Sequence, residues 1–352
     1  MKRGIFENAK LVAVSAVTPK NRINLKDYGA RYGEDLVRRI MESTGITEVA
    51  VAPEEQTCSD LCVEAAEHLF KEKRISPSEI DGLVYISETT DYIAPTTSAI
   101  LQDRLGLPKS SIVFEIHLSC SGYVYGLFQA AMMIESGYCK KVLLLAGSTM
   151  TRYMNTEDRA MQMISGDAGS ASLICLTEKK KPMRFSFFSD GSGYTGLSIP
   201  AGGIRMPVKS GVTDILEYDD EGNGHTKQDL IMDGMAIMAF STRIAPKLIR
   251  GLLKAEGIAN EEIDMFLLHQ ANKIIVERIG KLLKVPTEKV PLGLQKTGNT
   301  GLTSVPLMMC NQYAGINDNL KRTVICGFGS GLVAAACLID ISETEFIKTI
   351  EA

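Results

Sequence analysis

Four histidines among 352 residues, no tryptophan, no surplus of basic charge and no long apolar run limit what this chain can do. The histidines (His68, His117, His225, His269) have no ligand spacing around them, and Cys58-x-x-x-Cys62 lacks a matching second pair, so no metal site is expected. Lysine and arginine total 38 against 42 aspartate and glutamate, a net charge of -4. That balance leaves nothing to neutralise phosphates and excludes nucleic acid as the expected partner. The longest apolar run, Leu332–Ile339, falls far short of a membrane span. Lys2, Arg3 and Glu7 stand where an export signal needs apolar residues, so a cytosolic protein is expected. In that reducing compartment most of the eight cysteines read as core packing. The 45% hydrophobic and 23% charged content is ordinary for a folded soluble chain. Its length is roughly twice a typical ~150-residue domain.

Self-similarity organises that length. Ser78–Ile86 recurs as Glu261–His269, Lys140–Gly147 recurs loosely as Lys321–Gly327, and Cys120-Ser121-Gly122 falls opposite Asn299-Thr300-Gly301. The offset stays near 180 residues and the order is kept, which predicts two pseudo-equivalent halves, 1–180 and 181–352. Strand-length apolar runs (Leu83–Ile86, Ile112–Ile116, Val142–Leu145) alternate with helical stretches at Ser59–Lys71, Thr97–Leu105, Ser121–Ser136, Gln228–Ala255, Asn272–Leu283 and Thr303–Tyr313. An α/β class with parallel-rich sheets, stacked as layers αβαβα, is expected. The polar, unpatterned Pro207–Lys227 reads as an exposed insertion.

Three residues have neighbourhoods suited to chemistry. Cys120 follows a strand-like run and precedes a helix rich in small residues (Gly122, Gly126, Ala130, Ala131). A helix start favours thiolate, although a packing cysteine fits the local pattern equally well. His269 lies just past the strand Met265–Leu268, where α/β proteins keep their sites, and a structural histidine is the alternative. Asn299 alone reads as a turn residue, but the repeat sets it at the pseudo-equivalent of Cys120. The glycine-rich Ser165–Ser170 and Gly327–Gly331 lack the Walker lysine and the dinucleotide fingerprint, and read as tight turns beside a cavity.

Together, Cys120 in S-C-S-G, His269 in H-Q-A-N, Asn299 in G-N-T and the late G-F-G-S-G resemble the thiolase superfamily. The likeness is nearest to its β-ketoacyl-acyl-carrier-protein synthase III branch and covers nearly the whole chain. Thr44-Gly45-Ile46, S-G-D-A-G-S and Asp190–Gly193 are similar to family counterparts. The resemblance implies a thiolase-like five-layer fold, a homodimer, an acyl carrier protein and acyl thioesters (carrier- or coenzyme A-linked) as partners, and no cofactor. It implies Cys120 as the nucleophile that takes an acyl primer, and His269 with Asn299 as the pair that binds the malonyl thioester carbonyl. The N–H groups of Cys120 and of the backbone near Ser330 would form the oxyanion hole. Ala94, Gly234 and Phe328 would line the substrate pocket. Lys273, Lys281 and Lys284 fall within about 80° on one helix face and would dock the acidic carrier.

Several positions depart from the family. Ser330 stands where glycine is usual, and Ala94 where a bulky gate precedes the proline matching Pro95. The tryptophan that stacks on the coenzyme A adenine is missing, Ser43 replaces an arginine, and Ile274 replaces a docking arginine. The expected reaction is a decarboxylating Claisen condensation. Its rivals are acyl transfer from the same enzyme thioester to an oxygen or nitrogen acceptor, a papain-like protease, and a silent subunit shaping a partner synthase.

Overall fold

Two mixed sheets carry the molecule, which is described by a computed structural model for residues 3–316 and 320–352. The seven-stranded sheet runs Glu345–Phe346, Ala9–Thr18, Ala168–Leu176, Lys141–Ser148, Gly82–Ser87, Ile112–His117, with Ile350–Glu351 also on Ala9–Thr18. The five-stranded sheet runs Arg3–Phe6, Met183–Ser189, Val333–Ile339, Thr323–Gly329, Met265–Leu268. The repeat maps onto this plan. Gly82–Ser87 corresponds to Met265–Leu268, and Lys141–Ser148 to Thr323–Gly329. The strand leading to Cys120, Ile112–His117, has no counterpart before Asn299, where the backbone is irregular.

Alternation along the strands sets the layers. Leu83 and Tyr85 point into an outer core with helix Cys58–Lys73, while Val84 and Ile86 point into the central core. In the second sheet Val324, Cys326 and Phe328 face the outer helices Gly234–Glu256 and Lys273–Leu283, while Ile325 faces the centre. Both faces are covered, so these strands read as unbroken apolar runs rather than alternating ones. Between the sheets lie helices Gly122–Glu135 and Ser304–Tyr313, which completes α-β-α-β-α. The first of them sits close because its small residues allow it. A Cβ on Gly126 would stand 2.5 Å from Leu144 and 2.6 Å from Ile86.

The sheets are less parallel than the sequence suggests. Gly82–Ser87 is parallel to both its neighbours and Met265–Leu268 to Thr323–Gly329. Lys141–Ser148 with Ala168–Leu176, and Thr323–Gly329 with Val333–Ile339, are antiparallel. Only a crossover helix imposes the parallel sense; the second pair is joined by the short turn Ser330–Leu332, which lets the chain double back. The helix expected from Gln228 starts at Gly234, because the Asp233 carboxylate caps it by accepting from Ala236 N–H (2.9 Å). The preceding Ile231–Met232 pairs instead with Leu197–Ser198. The insertion Pro207–Lys227 is largely exposed and carries one short hairpin, Glu217–Tyr218 with Gly224–His225. No helix among the described residues is long and apolar enough to cross a membrane.

Candidate active site

Strand Ile112–His117 delivers the chain to Cys120, two residues ahead of the central helix Gly122–Glu135. No side chain caps that helix; its first N–H, that of Gly122, turns back to the Ser119 carbonyl (2.6 Å). The late G-F-G-S-G supplies a bare backbone wall. A Cβ on Gly327 would meet the Cys120 carbonyl at 2.7 Å, and one on Gly329 would lie 3.0 Å from Cys120 Sγ. Any larger residue at either position has to displace the thiol or its backbone. Ser330 follows directly, partly buried, in the turn Ser330–Leu332.

His269 is 2% exposed and its N–H donates to the Cys326 carbonyl (2.8 Å), anchoring it to the neighbouring strand. Its Nδ1 pairs with Ser304 Oγ at 2.8 Å, which leaves Nε2 for a substrate. Ser304 Oγ also accepts from Gln270 N–H (3.2 Å), so the hydroxyl is oriented from two sides. Burial pushes the imidazole pKa down to about 4 against an upward pull from the Gly301 carbonyl, so the ring is neutral at physiological pH. Phe328 packs edge-on against it, ring centroids 5.4 Å apart.

Asn299 is held at both ends of its peptide. Its N–H donates to Ile164 O (2.8 Å) and its carbonyl accepts from Gly166 N–H (3.0 Å). The side-chain oxygen accepts from Gly301 N–H (3.0 Å), which leaves the amide NH2 as the free end. The Ser165–Ser170 motif thus buttresses Asn299, and it needs a glycine to do so: a Cβ on Gly166 would sit 1.9 Å from Thr297 O. Asp167 ties the same segment to Ala52 N–H and to Thr151, and burial pushes its carboxyl up to about 6. The two helix starts abut, with Leu302 3.4 Å from where a Gly122 Cβ would be.

Sequence reading missed one group here. Glu88 lies just past the end of Gly82–Ser87, beside Ser148 Oγ (3.5 Å), and its Oε1 is 3.4 Å from a Cβ built on Gly301. Burial pushes its carboxyl up to about 7, opposed by hydrogen bonds from the Ser119 and Ser148 hydroxyls. Burial and the Glu88 charge together push the Cys120 thiol up to about 12. Only its position at a strand's carboxyl end hints at this in the sequence.

Other expected site residues lie elsewhere. Ala94 is exposed on a loop with Tyr92 and Ile93, and Gly234 is exposed at its helix start with no atom within 4 Å of a built Cβ. Phe328 touches the site only from behind His269, since alternation turns it away from the Gly327–Gly329 face. Lys281 and Lys284 are exposed, while Lys273 lays its stem on Gly45 (3.1 Å from a Gly45 Cβ), and Glu277 falls within the same arc. Two clefts, of about 730 Å³ beside Arg22 and Lys296 and about 580 Å³ beside Arg38 and Met41, are lined by none of Cys120, His269 or Asn299.

Five layers built on two mixed sheets, with Cys120 and Asn299 each just ahead of a central helix, define a thiolase-fold enzyme. Residues 114–191 match the family described as 3-oxoacyl-[acyl-carrier-protein (ACP)] synthase III, and residues 253–341 match its C-terminal domain. The chain is 32% identical over 341 residues to a β-ketoacyl-[acyl-carrier-protein] synthase III of Clostridium perfringens, covering 96% of this chain and 100% of that one. A counterpart from Caldanaerobacter subterraneus is 31% identical over 306 residues, covering 86% and 89%. A crystal structure of a 3-oxoacyl-(acyl-carrier protein) synthase from Burkholderia xenovorans superposes with a TM-score of 0.93 at 28% identity, covering 100% and 99%. The chain belongs to the β-ketoacyl-[acyl-carrier-protein] synthase III family.

Proposed function

We propose that this chain is an acyltransferase that loads an acyl primer on Cys120 and then condenses it with malonyl carried on acyl carrier protein, releasing carbon dioxide. One observation carries the reading: His269 Nδ1 pairs with Ser304 Oγ and the Asn299 side-chain oxygen accepts from Gly301 N–H, so the imidazole Nε2 and the amide NH2 are the ends turned to substrate. In this scheme Nδ1 accepts from the Ser304 hydroxyl, the tautomer that places the His269 proton on Nε2. Nε2–H and the Asn299 NH2 then hold the malonyl thioester oxygen as carbon dioxide leaves and the enolate forms. The enolate carbon attacks the Cys120 thioester, whose oxyanion meets the N–H groups of Cys120 and of Ser330. Residues 1–180 thus bring the nucleophile and 181–352 the two donors. Malonyl thioester consumed one-for-one with carbon dioxide released, together with an acyl mass on Cys120, tests the scheme. Acyl transfer to an alcohol or amine without carbon dioxide release would replace it.

The working unit is a cytoplasmic homodimer in this reading. Strand Ile112–His117 ends its sheet with an open edge, and Phe114, Tyr92 (60% exposed) and Ile93 (101% exposed) offer apolar surface nearby in the chain. A second copy covering them would turn the exposed Ala94 loop from an outward feature into a buried one.

The carrier docks on Lys281 and Lys284 in this scheme. Lys281→Glu with Lys284→Glu should lower the specificity constant for carrier-linked substrate roughly tenfold at low salt, with the difference vanishing as salt rises. A small thioester substrate should react as before; an equal loss with both substrates would reject the docking face.

Primers on coenzyme A should be poor substrates. Ser43 Oγ is spent on the Ile40 carbonyl (3.0 Å), Arg38 on Asp35 (2.8 Å), and Tyr32 stacks on Tyr28 with ring centroids 5.7 Å apart. None of these is free to replace the missing indole. Loss of base stacking of about 1–3 kcal/mol corresponds to about five- to 150-fold in affinity. Specificity constants for one acyl group on coenzyme A and on carrier protein, in the same buffer, measure it; parity would overturn the expectation.

A further inference from the structure

Loading an acyl group on Cys120 requires a proton to move, and no residue assigned so far moves it. His269 keeps its ring neutral and its Nδ1 against Ser304. As a proton acceptor, a group titrating near 4 is roughly a thousandfold weaker than one titrating near 7. Glu88 is the acid that titrates near 7. It stands in the right place: Ser119 Oγ lies 3.3 Å from Cys120 Sγ, and the same hydroxyl hydrogen-bonds the Glu88 carboxyl. Ser148 Oγ steadies Glu88 from the neighbouring strand at 3.5 Å, and Gly301 closes the other side without a side chain. The titratable groups that face this carboxyl are Cys120 and, beyond Gly301, His269; among the described residues no cation neutralises it.

We propose that Glu88, acting through the Ser119 hydroxyl, takes the proton of the Cys120 thiol as the acyl group is loaded and returns it to the departing thiol. The step rests on Cys120 being the acylated residue. The Sγ–H bond breaks and its proton passes to Ser119 Oγ, whose own proton passes to the Glu88 carboxylate. Sγ bonds to the acyl carbon, the carbon–sulfur bond to the carrier breaks, and the carboxylic acid protonates the leaving thiolate. Nothing is oxidised and no proton is gained or lost overall.

The full-length enzyme, Glu88→Gln and Ser119→Ala are compared in two reactions across pH 5.5 to 9. One is acylation of Cys120 by an N-acetylcysteamine acyl thioester, read by quench and intact mass. The other is alkylation of Cys120 by iodoacetamide, which needs only thiolate and delivers no proton to a leaving thiol. Wild-type acylation should rise with an apparent pKa near 7. Glu88→Gln should slow it by about 10²–10⁴ and erase that rise. The same variant should alkylate faster at pH 8, because the carboxylate that raises the Cys120 pKa is gone. Ser119→Ala should slow acylation strongly while keeping the charge; with the Ser119 hydrogen bond to Sγ gone, its alkylation should slow only slightly and should not accelerate. It also serves if Glu88→Gln fails to fold. Unchanged acylation in both variants, or acylation falling no more than alkylation in either, would overturn the relay. A wild-type enzyme that the thioester labels at some residue other than Cys120, or not at all, would instead remove the acyl-enzyme reading beneath it.

Discussion

Cys120→Ala should abolish acyl loading and lower condensation by roughly 10⁶-fold, the scale seen when a covalent enzyme loses its nucleophile. Decarboxylation of malonyl thioester should survive, because His269 and Asn299 stay in place without the thiol. His269 is anchored by Cys326 O and Ser304, and Asn299 by Ile164, Gly166 and Gly301, none of which involves Cys120. Alanine also fits the space, since Gly329 already presses against the Cys120 side chain and needs no filling. The check is paired: acyl mass on the protein, and carbon dioxide released from malonyl thioester without primer. A variant that still takes an acyl mass would show that another residue is the acceptor.

The reverse pattern should follow from the two donors. His269→Ala and Asn299→Ala should each cut decarboxylation by about 10²–10³, or about 2.7–4 kcal/mol, as for removal of one oxyanion-hole donor elsewhere. Acylation of Cys120 should persist in both. Asn299→Asp should be worse than Asn299→Ala: the new carboxylate still accepts from Gly301 N–H, but presents charge instead of N–H to a developing enolate. Because the His269 pKa lies near 4, its contribution is that of a neutral donor, so it should not titrate between pH 5 and 8. Single-turnover carbon dioxide release at several pH values measures all of this. Decarboxylation at the wild-type rate in both alanine variants would reject the assignment.

Much of this was legible along the chain because it is written in local pattern. The repeat pairs Cys120 with Asn299, and in the structure both precede central helices whose starts meet at Gly122 and Leu302. Strand and helix periodicity located Met265–Leu268 and Lys273–Leu283 to within a residue. What depended on distant contacts was not legible. Glu88 looks like one more polar residue in a loop until Ser119, Ser148 and Gly301 close around it. The antiparallel strand pairs depend on how short a connection is, which apolar runs do not record. Ala94 and Gly234 came from likeness alone, and their exposure follows from a loop and a helix start that face outward.

The first and last strands described lie in opposite sheets: Arg3–Phe6 pairs with Met183–Ser189, while Glu345–Phe346 and Ile350–Glu351 pair with Ala9–Thr18. During synthesis the first half therefore waits with one side of Ala9–Thr18 unpaired until residues 345–351 leave the ribosome. An open strand is an invitation to a neighbouring nascent chain, so a premature stop just short of residue 345 removes the very cover that closes it. Such truncated products should collect in aggregates although every residue of the proposed reaction centre, through Ser330, has been made.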